Sequence, residues 1–396
     1  MIFQVIDDKD DCYGIYTNGE FIYDRLPSSN GSTWNFSRHL LGGSYNYAFI
    51  WNDGKTLAES CPSHLRSRFE AHEKRIKAHI KSHINAKVNV QESCLFDLVP
   101  ETHLKNYLEV KNEICQYIFE NVEKPANYTF LSQTYETIQE IATQNLKIDW
   151  ELLNHLAVKD PKARSIATRF EPSRTCVNYN MFGSKTGRLT TKPDSFPILN
   201  LKSEHKSILL PKNDWFVEFD YNGAEIRTLL SLSNKPQPNE DIHEFHMKNL
   251  YRDFGTRAKT KERFFAWLYN SSSEDYLTER YYDRQSILSS HFKNGTVYTP
   301  FGRQIESDDF HALNYLLQSS SSDNCMTQVN KIHRFLRDKK SNVAFAIHDS
   351  VIIDLDHRDR NLLPQIKEIF ADTKLGQFKV GIKAGKNMGQ LREFTW

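Results

Sequence analysis

The sequence contains no C-x-x-C pair, and none of its six cysteines (Cys12, Cys61, Cys94, Cys115, Cys176 and Cys325) has a histidine at zinc-finger spacing. That scatter excludes a zinc ribbon and a dithiol redox motif, and it reads as reduced core thiols of a cytosolic protein. No stretch approaches eighteen consecutive apolar residues, so neither a membrane-spanning helix nor a membrane partner is expected. The first residues, MIFQVIDDKDD, lack a basic segment followed by an apolar run. No leader is expected, and the reading is a cytoplasmic protein, in the host cytoplasm if the source is viral. Net charge is nearly absent too, since 51 Lys and Arg against 50 Asp and Glu leave +1. A neutral total does not exclude a nucleic-acid partner, because clustering matters more than the sum. No repeat or low-complexity tract is present beyond the short polar run Ser319 to Ser322.

The 396 residues suit two or three subdomains around at least one large core. Charge does cluster locally. Lys159, Lys162, Arg164, Arg169, Arg174, Lys185, Arg188, Lys192, Lys202, Lys206 and Lys212 stand among few acids and predict a basic surface in a neutral chain. Residues 1 to 55 hold short strand-like pieces, Ile2 to Ile6, Gly14 to Tyr16, Phe21 to Tyr23 and Tyr47 to Trp51, separated by turn signals. From Ser63 to Ala86 the period becomes helical. Leu65, Phe69, Ile76, Ile80 and Ile84 mark one side, and Arg66, Arg68, Lys74, Arg75, Lys77 and Lys81 the other. That basic face is either simply solvated or a contact for a DNA backbone. Leu104, Leu108, Ile114 and Ile118, then Tyr135, Ile138 and Ile141, predict helices on either side of the Pro125-Ala126-Asn127 break.

Two apolar runs of strand length, Trp215 to Phe219 and Val343 to Ile347, are each followed within two residues by an aspartate, Asp220 and Asp349. A lone aspartate at a strand end also serves as a turn or helix cap. If the two strands lie side by side, the paired carboxylates repel, and the arrangement makes sense with a divalent cation between them. Paired Mg²⁺ ions clamp the two oxygens of an in-line phosphoryl displacement. Arg257, Lys261, Phe265 and Tyr269, four apart, form a stripe that advances about 40° per step beyond a full turn and so keeps to one broad helix face. A core stripe has no reason to begin with two cations. Guanidinium and ammonium groups bind phosphate, and an aromatic plane holds a sugar or base, so the stripe fits a nucleoside triphosphate.

These segments resemble, in order and spacing, the motifs of family A DNA polymerases, the DNA polymerase I type. The matching pieces are TGRLTT (Thr186 to Thr191), FDYNGAEIR (Phe219 to Arg227), Asp241-Ile242-His243 and the stripe. They continue with Thr299 to Arg303, then Asn314, Gln318 and Asp323, then AIHDS (Ala346 to Ser350) and KVGIKAGKNMGQL. The likeness covers residues 179 to 396. It implies an α+β protein of right-hand polymerase architecture, with an antiparallel palm sheet, a helical thumb and small helical fingers, plus a small β-rich N-terminal module. The expected division is 1–100 for that module and its basic helix, 101–178 thumb-like, 179–236 first part of the palm, 237–301 compact fingers and 302–396 second part of the palm.

The resemblance implies a template-directed DNA polymerase extending a primer 3′-OH with dNTPs. Asp220, Asp349 and the Tyr221 carbonyl would hold two Mg²⁺ ions, with Mn²⁺ as a substitute. Arg257 and Lys261 would grip the triphosphate with His243, Lys261 helping to protonate pyrophosphate. Phe265 would pack on the sugar, Tyr269 would close over the new pair, and Glu225 would crowd the 2′ position. Arg188, Asn314, Gln318 and His348, with Thr186 and Arg303, would contact primer-template DNA; bottom-up, Asn314 and Gln318 also read as a plain helix-surface pair. A processivity factor, helicase or separate exonuclease would be further partners.

The chain departs from the family pattern in three places. Ser350 stands where an acid usually follows the His-Asp pair, which removes a secondary carboxylate and alters the expected metal response. Asn270 stands where a glycine usually follows the stripe, and the segments flanking the stripe are short. The early acids Asp7, Asp8, Asp10 and Asp11 form no D-x-E motif and read as a solvated turn, so neither proofreading nor 5′ nuclease activity is expected. Two other classes compete with this reading. A catalytically silent primer-template-binding subunit would not need both aspartates and both cations. The other class is a single-subunit RNA polymerase or reverse transcriptase: Glu225 favours deoxynucleotides and so opposes the first, while template preference is open and a comparison of RNA and DNA templates decides the second.

Overall fold

The computed structural model describes residues 2–9, 12–23, 31–35, 45–90, 93–172, 175–252, 255–270 and 273–394. Asp10 and Asp11 of the early acids, and Arg174 of the basic stretch, lie outside them. The chain separates into two compact units, Met1–Glu140 and Ile141–Trp396, with the boundary inside the segment 101–178. Among the described residues no helix is long and apolar enough to cross a membrane.

The first unit opens with strands β1 (Ile2–Lys9), β2 (Cys12–Thr17), β3 (Glu20–Tyr23), β4 (Gly31–Thr33) and β5 (Tyr45–Tyr47), ordered β3-β2-β1-β4-β5. Asp7 and Asp8 lie on β1, opposite Gly14 and Tyr13, rather than in a turn. Pairing with β2 carries the strand past its apolar start, because the ladder supplies backbone hydrogen bonds whatever the side chain. The strand expected from Tyr47 to Trp51 is only Tyr45–Tyr47. Its partner β4 stops at Thr33, whose carbonyl accepts a last bond from Ala48 N at 2.8 Å.

Helix α1 (Ser63–Asn85) buries Leu65, Phe69 and Ile76 against Leu104, Leu108, Val110, Ile114 and Ile118 of α2 (Glu101–Asn121). Ile84, expected on the same buried side, is 54% exposed, because the packed face ends a turn earlier. Arg68 leaves the basic face for a two-pronged pair with Glu113, 3.0 and 2.5 Å, which ties α1 to α2. Helix α3 (Tyr128–Ala142) begins just after the expected proline break. Cys61 and Cys115 are buried free thiols, but Cys94 is disulfide-bonded, which corrects the expectation of six reduced cysteines. Spacing in sequence does not say which sulfurs meet in space.

The second unit starts with α4 (Trp150–Lys159) and α5 (Pro161–Arg169), whose N-termini are capped by Asp149 and Asp160. Asp160 also takes Lys202 at 2.7 Å, so part of the basic stretch is already neutralised. The central sheet follows, built from β6 (Trp215–Tyr221), β7 (Asn342–Ile347), β8 (Ser350–Leu355), β9 (Val380–Gly385) and β10 (Arg392–Glu393). All neighbours are antiparallel in the order β7-β8-β6-β9-β10. Helix α6 (Ala224–Leu232) leaves β6 through Gly223 at φ 71°, where a Cβ would meet the Ile242 side chain at 2.6 Å. Only glycine fits that left-handed, crowded corner. Helices α7 (Arg257–Tyr269) and α8 (Ala312–Leu336) share a core with α6 through Leu229, Leu230, Phe264, Trp267, Leu313 and Leu317.

The middle of α8 is buried although polar. Ser319, Ser320 and Ser321 hydroxyls and both amide atoms of Asn324 have no partner among the described residues. At about 1 kcal/mol or more for each unmade bond, that segment is a poor contributor to stability.

Candidate active site

The stripe lies on one helix, as expected, but not on its core face. Thr260, Phe264, Trp267 and Leu268 point into the core, whereas Arg257 and Lys261 are exposed, Phe265 is partly covered and Tyr269 is 41% exposed. Phe265 and Tyr269 stack at 5.6 Å with planes 9° apart, and Lys261 Nζ sits 5.8 Å from the Phe265 ring. Lys261 forms no ion pair among the described residues. Arg257 does: its Nε and Nη2 donate to Asp241 at 3.1 and 2.8 Å.

Asp241 caps the short helix Ile242–Phe245 through the N–H groups of His243 and Glu244, and it accepts Asn222 Nδ2 at 2.8 Å. Burial works to raise its pKa, but Arg257, Asn222 and the Glu244 N–H outweigh it and hold the carboxyl well below its ordinary range. The buried Arg227 guanidinium fixes this corner by donating to the carbonyls of Asn222, Pro238 and Glu240 at 2.8, 2.9 and 3.0 Å. His243 lies 6.2 Å from Phe265. Burial pushes His243 down to about 4, against the pull of Asp241 and aided by Arg257 and Lys261, so it is neutral at pH 7.

The two apolar runs that precede the aspartates form strands that are not side by side, so the condition set for pairing the carboxylates is not the one that holds. Strand β8 runs between them, and Asp349 occupies the two-residue turn His348–Asp349 joining β7 to β8. Asp220 pairs across the ladder with Ser350, the next residue, and Tyr221 N donates to Asp349 O at 3.5 Å. The turn therefore delivers the second carboxylate to the end of β6 without adjacent strands. His348 holds φ 52°, a left-handed conformation costing a non-glycine residue about 1 kcal/mol.

Neither carboxylate accepts a hydrogen bond from a described residue. Burial, then Glu218, then Asp349 push Asp220 up to about 6, with Lys383 opposing. Burial and Glu225 push Asp349 up to about 6, with Arg188 opposing. Two part-buried, donor-free carboxylates with open coordination suit a hard divalent cation, so the residues present fit the implied metal. Tyr221 offers its carbonyl, which already accepts Gly223 N at 2.9 Å on one lone pair. Its side chain is purely structural, stacked on Phe370 at 4.1 Å and donating to the Phe370 carbonyl.

Glu225, 8% exposed in the first turn of α6, links the sheet side to the stripe. It accepts from Arg188 and, at 2.5 Å, from Tyr269 Oη. A cleft lined by Arg188, Leu189, Ser322, Met326, His348 and Asp349 brings three expected residues together. Thr186 is buried beside Gly187, where φ is 75° and a Cβ would strike the Arg303 guanidinium. Arg303 is held behind that loop by Asp323, at 3.0 and 2.8 Å, and presents little charge outward. Asn314 and Gln318 are half-buried on α8, and Asn314 Oδ1 has no described partner. Three groups of the site were not singled out from the sequence: Asp241 as the partner of Arg257, Arg227 as the brace, and Glu218. The only available signal for Glu218 was its position two residues before Asp220 on a strand.

A solved structure, the POL domain of Pol1 from M. smegmatis in complex with DNA primer-template and dNTP, is similar in fold, with a TM-score of 0.57 and 13% identity over 73% of this chain and 76% of that one. No protein-family model and no curated protein sequence matches the chain. The mixed helix-and-sheet fold resembles a polymerase domain.

Proposed function

We propose that this protein is a family A-type, template-directed DNA polymerase that extends a primer 3′-OH with dNTPs and does not proofread. The observation that carries the reading is the outward stripe of α7, bare of core contacts at Arg257 and Lys261, in the same unit as two donor-free aspartates and joined to their sheet through Tyr269 and Glu225. Asp220, Asp349 and the Tyr221 carbonyl would hold two Mg²⁺ ions, or Mn²⁺ in their place. When bound, the ions supply activation of the attacking hydroxyl and neutralisation of the leaving pyrophosphate.

The chain's own groups do the rest. Lys261 presents an ammonium without an ion-pair partner among the described residues to phosphate oxygens and can hand a proton to the leaving group, while Arg257 exchanges Asp241 for the triphosphate. Neutral His243 donates a hydrogen bond without adding charge. Phe265 offers a face to the sugar, and Glu225, locked between Arg188 and Tyr269, stands as a fixed wall against a 2′-hydroxyl. Arg188 and His348, lining one cleft with Asp349, suit the minor-groove side of a primer end, where acceptors are shared by all correct pairs.

Primer extension with purified protein and single-dNTP omissions tests the reading. Templated addition that stops at the omitted base is expected. DNA binding with no incorporation in Mg²⁺ or Mn²⁺ would overturn it.

A further inference from the structure

The end of the central sheet carries a third carboxylate. Side chains alternate along a strand, so Glu218 and Asp220 of β6 project from one face, their Cβ atoms about 7 Å apart. Opposite Asp220 stand Ser350 on β8 and Gly381 on β9; opposite Glu218 stand Ile352 and Lys383. The row that holds Asp220 is thus flanked by a hydroxymethyl group and a hydrogen atom. Ser350 Oγ turns away to donate to Ile347 O at 3.0 Å, and a Cβ added at Gly381 would meet only the Asp220 carbonyl, at 3.8 Å. No large side chain of that row separates Glu218 from Asp220.

Glu218 is tethered, not idle. Its Oε2 lies 3.3 Å from Lys383 Nζ, and its side chain is 16% exposed against 46% for the lysine. A strand that only needed stability would not set an acid beside an aspartate already short of donors, since like charges on one face destabilise a sheet.

We infer that Glu218 is a third anionic group of the metal-binding face, anchoring directly or through water the divalent cation held by Asp220, with Lys383 as the countercharge that occupies it when the cation is absent. This rests on the polymerase reading for the identity of the cation's task, but not for its binding. It also supplies, from the neighbouring row, the carboxylate that Ser350 does not provide.

The test uses the full chain in two parallel measurements. One is the Mg²⁺ concentration giving half-maximal primer extension; the other is Mn²⁺ binding to the protein alone, read by the loss of the free-ion paramagnetic resonance signal. Glu218→Gln should raise the half-maximal Mg²⁺ about tenfold and weaken Mn²⁺ binding alike, whereas Lys383→Met should shift both a few-fold the other way. Ser350→Glu added to Glu218→Gln should restore much of the loss. Thermal melting checks that the variants fold, and opposite shifts from two members of one ion pair are not what a merely structural pair gives.

Unchanged metal response in both variants, with extension intact, would overturn the inference and leave the polymerase reading standing. Metal binding that weakens in Glu218→Gln while no protein extends a primer would uphold the carboxylate and sink the polymerase.

Discussion

Two sets of carboxylates in the second unit differ in one respect. Glu225, Asp241, Asp323 and Asp354 are each supplied with donors: Arg188 and Tyr269 for the first; Arg257, Asn222 and two backbone N–H groups for the second; Arg303 for the third; and the N–H groups of Lys212 and Asn213 for the last. Asp220 and Asp349 receive none from the described residues. A buried acid with its donors in place is part of the scaffold, and one without them is a cost the fold carries for another purpose. The contrast predicts opposite signs for the same chemical change. Removing charge from the first set weakens the protein; removing it from the second relieves the protein and stops its chemistry.

The largest effect should come from Asp220→Asn or Asp349→Asn. Each should lower primer extension by about a thousandfold or more, roughly 4 kcal/mol of transition-state stabilisation. Meanwhile the metal-free protein should become more stable. A carboxyl raised from 3.8 to about 6 on folding binds more protons in the native state, so its contribution is full below pH 4 and is lost as pH rises through 6. The loss is at most about 3 kcal/mol per group, and about 1 to 2 kcal/mol after solvent screening at this partly open site. Melting without metal should therefore fall between pH 4 and 7 in the native protein and flatten in Asp349→Asn. A lower melting temperature for Asp349→Asn at pH 7 would break the comparison.

Next in size is Asp323→Asn, which leaves the Arg303 guanidinium unpaired behind Gly187. Loss of one partner of a buried pair costs about 3 kcal/mol or more, so denaturant unfolding should shift sharply to lower concentration. An unshifted midpoint would move Arg303 out of the scaffold and back to the DNA-facing role first expected for it.

The Arg303–Asp323 pair also shows what the sequence could and could not reveal. Apolar period placed α1 to within a residue and marked the buried face of α2, and the strand-length runs gave β6 and β7, because burial leaves a direct imprint on spacing. Residue type also marked Asp220, Asp349 and the stripe, whose chemistry is unusual for their surroundings, whereas Glu225 was marked only by the family resemblance. Pairing was illegible. Nothing local says that β8 inserts between the two aspartate strands, that Arg303 turns inward to Asp323, or that Arg257 meets Asp241 sixteen residues earlier. A charged residue reads the same in sequence whether its partner is phosphate, water or another side chain, and only topology decides.

Glu225→Ala tests the fixed wall. It removes a side chain held by Arg188 and Tyr269, so the ratio of ribonucleotide to deoxynucleotide incorporation should rise about 10- to 100-fold, the range one excluded group commands. Tyr269→Phe, which releases Glu225 on one side only, should move the ratio less and in the same direction. An unchanged ratio in both would separate Glu225 from sugar selection and leave it a scaffold acid like Asp323.

The smallest effect concerns the acid that pairs with the stripe's arginine. Asp241 holds Arg257 at 2.8 Å, and the arginine is half exposed, so the pair is worth about 0.5 to 1 kcal/mol at low salt. A triphosphate that takes Arg257 must first displace that carboxylate. Asp241→Asn keeps an acceptor for the helix cap, yet loses the charge, so the KM for dNTP should fall about two- to fivefold with kcat little changed. Because the competing pair is solvent-screened, the advantage should shrink toward unity near 0.5 M salt. A KM that rises would mean that Asp241 positions Arg257 for the phosphates and does not compete for it, and the acid would then belong wholly to the scaffold set.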